Sequence, residues 1–392
     1  MKQYTPLDNP NPQPGDITIL GAHANGFPKE LYEPFWDSLL QHSKKSSFRI
    51  RHIFIADVAH QGQSSILNES KLGNDPSWYD HPRDLFNLVN YFRRDFVLPI
   101  VGIGHSMGGS QLINVSLMHP RLFAALLLID PIMSRRASQA GNWSPAIASS
   151  SRRDRWPSRK AAEAAFKKSK FYQTWDPRVL SLWIQYGLRD LPTKLFNDIT
   201  ESSEKEVTLT TTKHQEVLTF ARPTPKSSML VAMGLPQRLT HPDFDPELDG
   251  NGPFYRPEPI RTFLNLPFLR PSVLYVFGET SVFSDSQSMR EKVENTGTGS
   301  GGSGGMAKGR VQQVVIEGAG HLVPMEKVDE TGHECAKWIA GEMRRWREDE
   351  EMDRKVWERV PEREKFTISR KMMDTGEMSP GSGARRKAKP NL

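Results

Sequence analysis

Short, unbroken apolar runs alternate along the first third of the chain with longer segments whose apolar residues recur every three to four positions. Ile17–Ala22 reads as a buried strand, and Leu31–His42 follows with Leu31, Phe35, Leu39 and Leu40 on one helical face. Ile50–Ala56 is the next strand. Pro82–Phe96 opens on a proline and carries Leu85, Phe86, Leu88, Val89 and Phe92 at helical spacing. Strand Ile100–Ile103, helix Gly108–Met118 and strand Phe123–Ile129 continue the series. Apolar strands that alternate with amphipathic helices predict a parallel sheet covered on both faces. After Pro131 the alternation lapses for about 140 residues, in a basic, helix-prone stretch with many prolines. It resumes with Ser272–Phe277 and Val311–Ile316, and Val328–Trp346 reads as a closing helix.

The flanks differ in composition. Residues 1–15 are polar and proline-rich, which predicts a flexible leader without the apolar core of a signal peptide. Thr296–Gly305 consists wholly of Gly, Ser and Thr, which predicts a flexible loop. Residues 347–392 mix charges of both signs with Gly, Ser and Pro, which predicts a largely disordered charged tail with at most one helical stretch. The expected domains are thus the leader 1–15, a core of 16–130 and 271–346, an insertion over 131–270 and the tail 347–392.

The longest apolar run, Leu122–Ile129, is far too short to span a bilayer. A formal charge of +6 over 392 residues is too mild for a dedicated nucleic-acid binder. The single cysteine, Cys335, can form neither an intrachain disulfide nor a Cys-based zinc site, so a disulfide-stapled secreted scaffold is excluded. The C-terminal Lys389-Pro390-Asn391-Leu392 is a poor peroxisomal tripeptide, and a cytoplasmic protein is expected.

Chemistry concentrates at Gly104-His105-Ser106-Met107-Gly108, directly after a predicted strand and before a predicted helix. This is the setting of a G-x-S-x-G elbow, in which a strained turn lifts the serine hydroxyl above the sheet. The flanking glycines are required because a Cβ at either position would strike neighbouring backbone. A serine nucleophile needs a base, and His321 lies in the Gly-rich loop that follows the last strand. His105 is read as a packing neighbour, and His23 as a brace of its own loop.

With these features the chain resembles an α/β-hydrolase. Three further segments carry the resemblance: Gly21–Pro28 (GAHANGFP), Asp57–Ser64 (DVAHQGQS) and Gly318–His321 (GAGH). They match the family's His-Gly, D-x-x-G-x-G-x-S and histidine loops, with Ala24 and His60 where glycine is usual. The wording is similar to that of fungal AK-toxin-biosynthesis-type and peroxisomal hydrolases, which implies a role in secondary metabolism and, as an alternative location, the peroxisome. The implied fold class is α/β, a mostly parallel central sheet flanked by helices with a helical cap insertion over 131–270.

The third member of a serine triad must orient His321. The family's usual seat, near Thr280 and Ser281, holds no carboxylate. Asp130, at the end of the strand after the elbow helix, is the first choice, with Glu279 and Asp285 as alternatives. The oxyanion hole is expected from the backbone N–H groups of Met107 and Asn25, with Ala24 next. Trp143, Trp156, Phe171, Trp175, Trp183 and Phe220 are read either as a pocket lining or as the core of the cap. Arg135, Arg136, Arg152, Arg153 and Arg155 are read as a solvated face or as an anion site.

The expected function is that of a serine hydrolase acting on an ester or thioester of an apolar small molecule or acyl compound. Neither cofactor nor metal is expected, nor a nucleic-acid partner. The alternatives are a catalytically silent binding protein, an acyltransferase or C–C hydrolase on the same site, and nucleic-acid binding through Arg385–Lys389.

Overall fold

The computed structural model describes residues 1–136, 143–197, 205–250 and 252–368; of Trp143 it describes the backbone alone. Residues 1–344 form one compact unit, and residues from 345 onward belong to a second.

Seven strands make the central sheet of the first unit: β1 (Lys2–Tyr4), β2 (Ile17–Ala22), β3 (Ile50–Ile55), β4 (Ile100–His105), β5 (Ala125–Ile129), β6 (Ser272–Gly278) and β7 (Val311–Ile316). Their spatial order is β1-β3-β2-β4-β5-β6-β7. Every pairing is parallel except that of β1 with β3. Strands β2, β4, β5 and β6 are buried along their whole length, which is why they read as unbroken apolar runs. Helices α1 (Glu33–Lys44), α2 (Asp80–Tyr91) and α3 (Met107–Met118) fall close to the predicted segments. One core cluster joins α2, α3, β5 and β6 through Leu85, Leu112, Ile113, Leu126 and Phe277.

Between β5 and β6 the chain adds no strand to the central sheet over 131–270. This segment contains more strand than expected: Arg155–Trp156, Leu188–Asp190 and Val207–Leu209 form a small antiparallel sheet, and Arg222–Pro223 pairs with Phe254–Tyr255. Its main helices are α4 (Pro177–Tyr186), α5 (Lys213–Phe220) and α6 (Glu258–Leu264). The end of this segment belongs to the core rather than to the cap. Phe263, Leu266 and Leu269 pack into the central cluster, and Asn114 Nδ2 donates to Thr262 Oγ1 at 2.9 Å.

Three expectations need correction. The leader is not free: β1 pairs with the edge of β3, Lys2 Nζ lies 2.8 Å from Glu33, and the Tyr4 hydroxyl donates to the same carboxylate. Three residues of strand are too few to leave a periodic signal. The Gly-rich stretch is a fastened loop, because Gly297 and Gly299 donate to the carbonyls of Leu266 and Pro267, and Ser303 donates to Leu269. Positive φ at Gly297, Gly301, Gly304 and Gly305 lets the chain turn tightly enough to make these bonds. The closing helix, finally, runs as α7 (Val328–Glu358), twelve residues past Trp346. Arg354 pairs with Glu351 and Glu358 along that extension, which supplies the i,i+3 and i,i+4 ion pairs of an exposed helix. The basic run Arg385–Lys389 lies outside the described residues.

Candidate active site

Ser106 occupies the turn between β4 and α3 with φ 56° and ψ −119°, a conformation that L-residues avoid. Several backbone bonds hold it there. Ser106 N–H donates to Ile129 at 2.8 Å, and its carbonyl accepts from Ile132 at 3.2 Å. The glycine requirement is explicit: a Cβ on Gly108 would lie 2.2 Å from the Ala22 carbonyl oxygen, and one on Gly104 would lie 2.5 Å from that of Gly108. The turn thus aims the hydroxyl at the carboxyl edge of the parallel sheet.

His321 arrives from the loop after β7, 215 positions away in sequence, with Nε2 at 2.8 Å from Ser106 Oγ. Its Nδ1 is 2.5 Å from Asp130 Oδ2. A neutral imidazole protonated at Nδ1 fits both contacts, donating to the carboxylate and accepting from the hydroxyl. Asp130 is wholly buried at the end of β5, also at positive φ (40°), and its N–H donates to Val276 on β6.

Burial by itself would push the Asp130 carboxyl upward. The His321 contact and the hydroxyls of Ser281 and Ser284 outweigh burial and hold it below the usual carboxylate value. Ser281 Oγ donates to Oδ2, and Ser284 Oγ donates to Oδ1 at 2.5 Å. The family's usual seat for the acid therefore holds a hydroxyl that reaches the carboxylate at its other seat.

The two alternative acids are engaged elsewhere. Asp285 caps the helix Ser286–Asn295 by accepting from Gln287 N and Ser288 N. Glu279 accepts from Gly318 N at 2.8 Å, so it braces the histidine loop without meeting the imidazole. Phe283, which the sequence did not single out, packs edge-on against the His321 ring at 4.6 Å between centroids.

His105 bonds to Tyr32 and to the His321 backbone. The Ala24 N–H donates to Tyr32 Oη, Tyr32 donates to His105 Nδ1, and His105 Nε2–H donates to the His321 carbonyl, at 2.8, 2.8 and 2.9 Å. Burial, aided by nearby His321, lowers His105 to about 3, so the ring stays neutral and keeps this direction of donation. His23 ties two loops together, donating through Nδ1 to Ala24 O and accepting at Nε2 from Val58 N. Asp57 is structural too: Lys29 Nζ meets its Oδ2 at 2.6 Å.

The expected oxyanion donors can be sorted by occupancy. Ala24 N–H is taken by Tyr32, and Gly26 N–H donates to Gln61 Oε1 at 2.7 Å. That leaves the Asn25 N–H without an acceptor among the described residues. Met107 N–H belongs to the first turn of α3, where helix donors have no partner within the helix.

The cap aromatics form a core of their own. Trp156, Trp175 and Trp183 are buried and interlock with Phe166 and Tyr172, whereas Phe171 is half exposed. The Trp143 side chain is outside the described set, and Phe220 is half-buried. Most of the arginine run has internal partners: Arg152 pairs with Glu216, Arg153 stacks over Trp156 and Arg155 pairs with Glu206. Among the described residues no group of three or more His, Cys, Asp or Glu could hold a metal ion, and no helix is long and apolar enough to cross a membrane.

Comparison with known proteins is consistent with this geometry. A family model described as the alpha/beta hydrolase family matches residues 19–338. The type I acyl-CoA thioesterase mpaH of Penicillium roqueforti is 41% identical over 365 residues, covering 89% of this chain and 82% of that protein. The abhydrolase domain-containing protein AFT2-1 of Alternaria alternata is 27% identical over 241 residues, covering 62% of this chain and 83% of that one. Among solved structures, the peroxisomal alpha-beta-hydrolase Lpx1 of Saccharomyces cerevisiae superposes with a TM-score of 0.62 at 16% identity, over 92% of this chain and 91% of that one.

Proposed function

The chain belongs to the alpha/beta hydrolase family, and from that premise we propose that it is a serine hydrolase cleaving the thioester of an acyl-CoA in fungal secondary metabolism. The observation that carries this reading is the unbroken hydrogen-bonded line from Asp130 through His321 to Ser106. Ser106 Oγ attacks the acyl carbonyl while His321 Nε2 takes its proton. The oxyanion accepts from the N–H groups of Met107 and Asn25. Collapse of the tetrahedral intermediate expels the thiolate, which takes the proton from His321. Water, deprotonated by the same imidazole, then attacks the acyl-serine and releases the acid. Asp130 stays ionised throughout and stabilises the imidazolium.

The relatives named for acyl-CoA thioesters favour that leaving group over a simple alcohol. The silent-binding reading rested on the empty acid seat at 280–281, and Asp130 supplies the carboxylate from the neighbouring strand. The partner is then a small acyl compound, and the lone, buried Cys335 fits a reducing compartment, the cytoplasm or the peroxisome.

The test is a panel of acyl-CoA thioesters of graded length, with free thiol measured, run beside aryl esters. Wild-type protein is expected to release CoA, and Ser106→Ala to lower kcat by about 10⁶-fold. Transfer of the acyl group to an added acceptor in preference to water would make it an acyltransferase. No turnover together with no fluorophosphonate labelling at Ser106 would end the hydrolase reading.

A further inference from the structure

The loop that carries Asn25 is gripped by Gln61 and by helix α5 of the cap. Gln61, fully buried, uses both ends of its carboxamide on this loop. Its Oε1 accepts from Gly26 N–H and its Nε2 donates to Asn25 Oδ1, each at 2.7 Å. Asn25 Nδ2 in turn donates to the Glu216 carbonyl on α5 at 3.0 Å. One turn further along α5, Thr219 Oγ1 accepts from His60 Nε2 at 2.8 Å and from Gln61 Nε2 at 3.3 Å.

The Thr219 hydroxyl hydrogen goes to Gln215 O, so both contacts from the loop side must be donations, and His60 must carry its proton on Nε2. The Thr219 carbonyl also accepts from Trp78 Nε1 at 2.8 Å. Just before α5, Thr211 Oγ1 accepts from Gly62 N–H at 2.8 Å. The backbone approach is equally close. A Cβ on Gly26 would lie 2.9 Å from the Glu216 carboxyl carbon, and Gly26 sits at φ +86°.

That carboxylate is buried and held from the cap side by Ser149 Oγ at 2.6 Å and by the Arg152 guanidinium at 2.7 Å. Phe27, two residues past Asn25, stands 5.7 Å from the Trp175 ring and 6.1 Å from that of Trp183. Every residue from 25 to 27 is therefore fixed by the cap, by Gln61, or by both.

We propose that Gln61 is a positioning residue of the oxyanion hole, and that with the Asn25 side chain it makes helix α5 of the cap part of that hole. This rests on the reading above that the Asn25 N–H receives the oxyanion. Gln61 restrains the residue that carries it from two sides, holding the following peptide through Gly26 N–H and the side chain through Asn25 Oδ1. A donor that drifts by an ångström forfeits much of its stabilisation of the transition state while the substrate remains bound. The cap then contributes to the chemical step as well as to enclosing the acyl chain.

The experiment uses the full chain with an acyl-CoA or aryl ester turned over by the wild type. Gln61→Leu and Asn25→Ala are each expected to lower kcat on the order of 10–100-fold with KM within about threefold. Both should slow fluorophosphonate labelling of Ser106 by the same factor, because that reaction also builds charge on an oxygen in the hole. The double variant is expected to be little worse than the poorer single one, since both changes cut one connection. Thr219→Val, which leaves the loop sequence intact and guards against a folding defect in the loop variants, is expected to shift kcat in the same direction by a smaller factor. Unchanged kcat in Gln61→Leu, or a loss confined to KM, overturns the proposal while leaving the hydrolase reading in place. A wild type that neither turns over nor labels overturns both.

Discussion

The two flanks of Ser106 are built from different parts of the molecule. The histidine flank belongs wholly to the sheet: Asp130 ends β5, Ser281, Phe283 and Ser284 follow β6, and His321 follows β7. The oxyanion flank starts from β2, but its fixing contacts come from Gln61 and, beyond it, from Glu216, Thr219, Trp175 and Trp183 of the cap. A line of hydrogen bonds Ala24–Tyr32–His105–His321 joins the flanks behind the nucleophile. The Asp130–His321–Ser106 line is thus held by side chains of the sheet's own loops, whereas the loop of Asn25 is held by the cap as well.

The largest expected effect comes from breaking the histidine flank. Asp130→Asn keeps the shape but favours the wrong imidazole tautomer, and kcat is expected to fall about 10⁴-fold, whatever the acyl group. A loss confined to long acyl chains would mean that this flank also senses the cap. Next come the hydroxyls. Replacing Ser281 and Ser284 together by Ala removes two bonds to a buried charge, each worth about 1.5–3 kcal/mol.

The sign with pH is definite. Asp130 is held below the ordinary carboxylate value, so its contribution to stability is present above that value and is lost as pH falls through the folded one. Without the hydroxyls two of the contacts that oppose burial are gone and the folded value rises. The acid limb of kcat/KM and the midpoint of acid unfolding are both expected to move to higher pH; a profile superimposable on the wild type would refute this. The smallest effect tests the connection between flanks. Tyr32→Phe strands the Ala24 N–H and leaves His105 Nδ1 without its donor, for about 1–3 kcal/mol in a urea titration. A loss of that size with kcat nearly unchanged would show that the flanks act independently.

Much of the histidine flank is legible from sequence because strand ends carry strong signals. An apolar run that stops at Asp130, and a Gly-rich turn after the last such run, place both groups at one edge of a parallel sheet. Ser106 is legible for the same reason, since the elbow needs glycines at fixed spacing. The supporting hydroxyls are not, because a serine in a polar loop looks the same whether it faces water or a carboxylate. Gln61 and Asn25 leave no periodic trace either, and their partners lie more than 150 residues away on α5. The Gly-rich loop 296–305 shows the opposite failure. Its composition reads as slack, yet positive φ is what lets its N–H groups reach the 266–269 backbone.

The seam between Asn25 and α5 divides the insertion into two kinds of territory. Segments that touch neither α5 nor Phe27 can be rebuilt for a bulkier or smaller guest at the cost of packing alone. The stretch from Thr211 to Thr219 cannot be exchanged so freely, since a graft that omits its carbonyl and hydroxyl acceptors would deliver a well-folded pocket above a weakened catalyst. A chimera intended to change acyl preference should therefore retain that helix and join foreign sequence on either side of it.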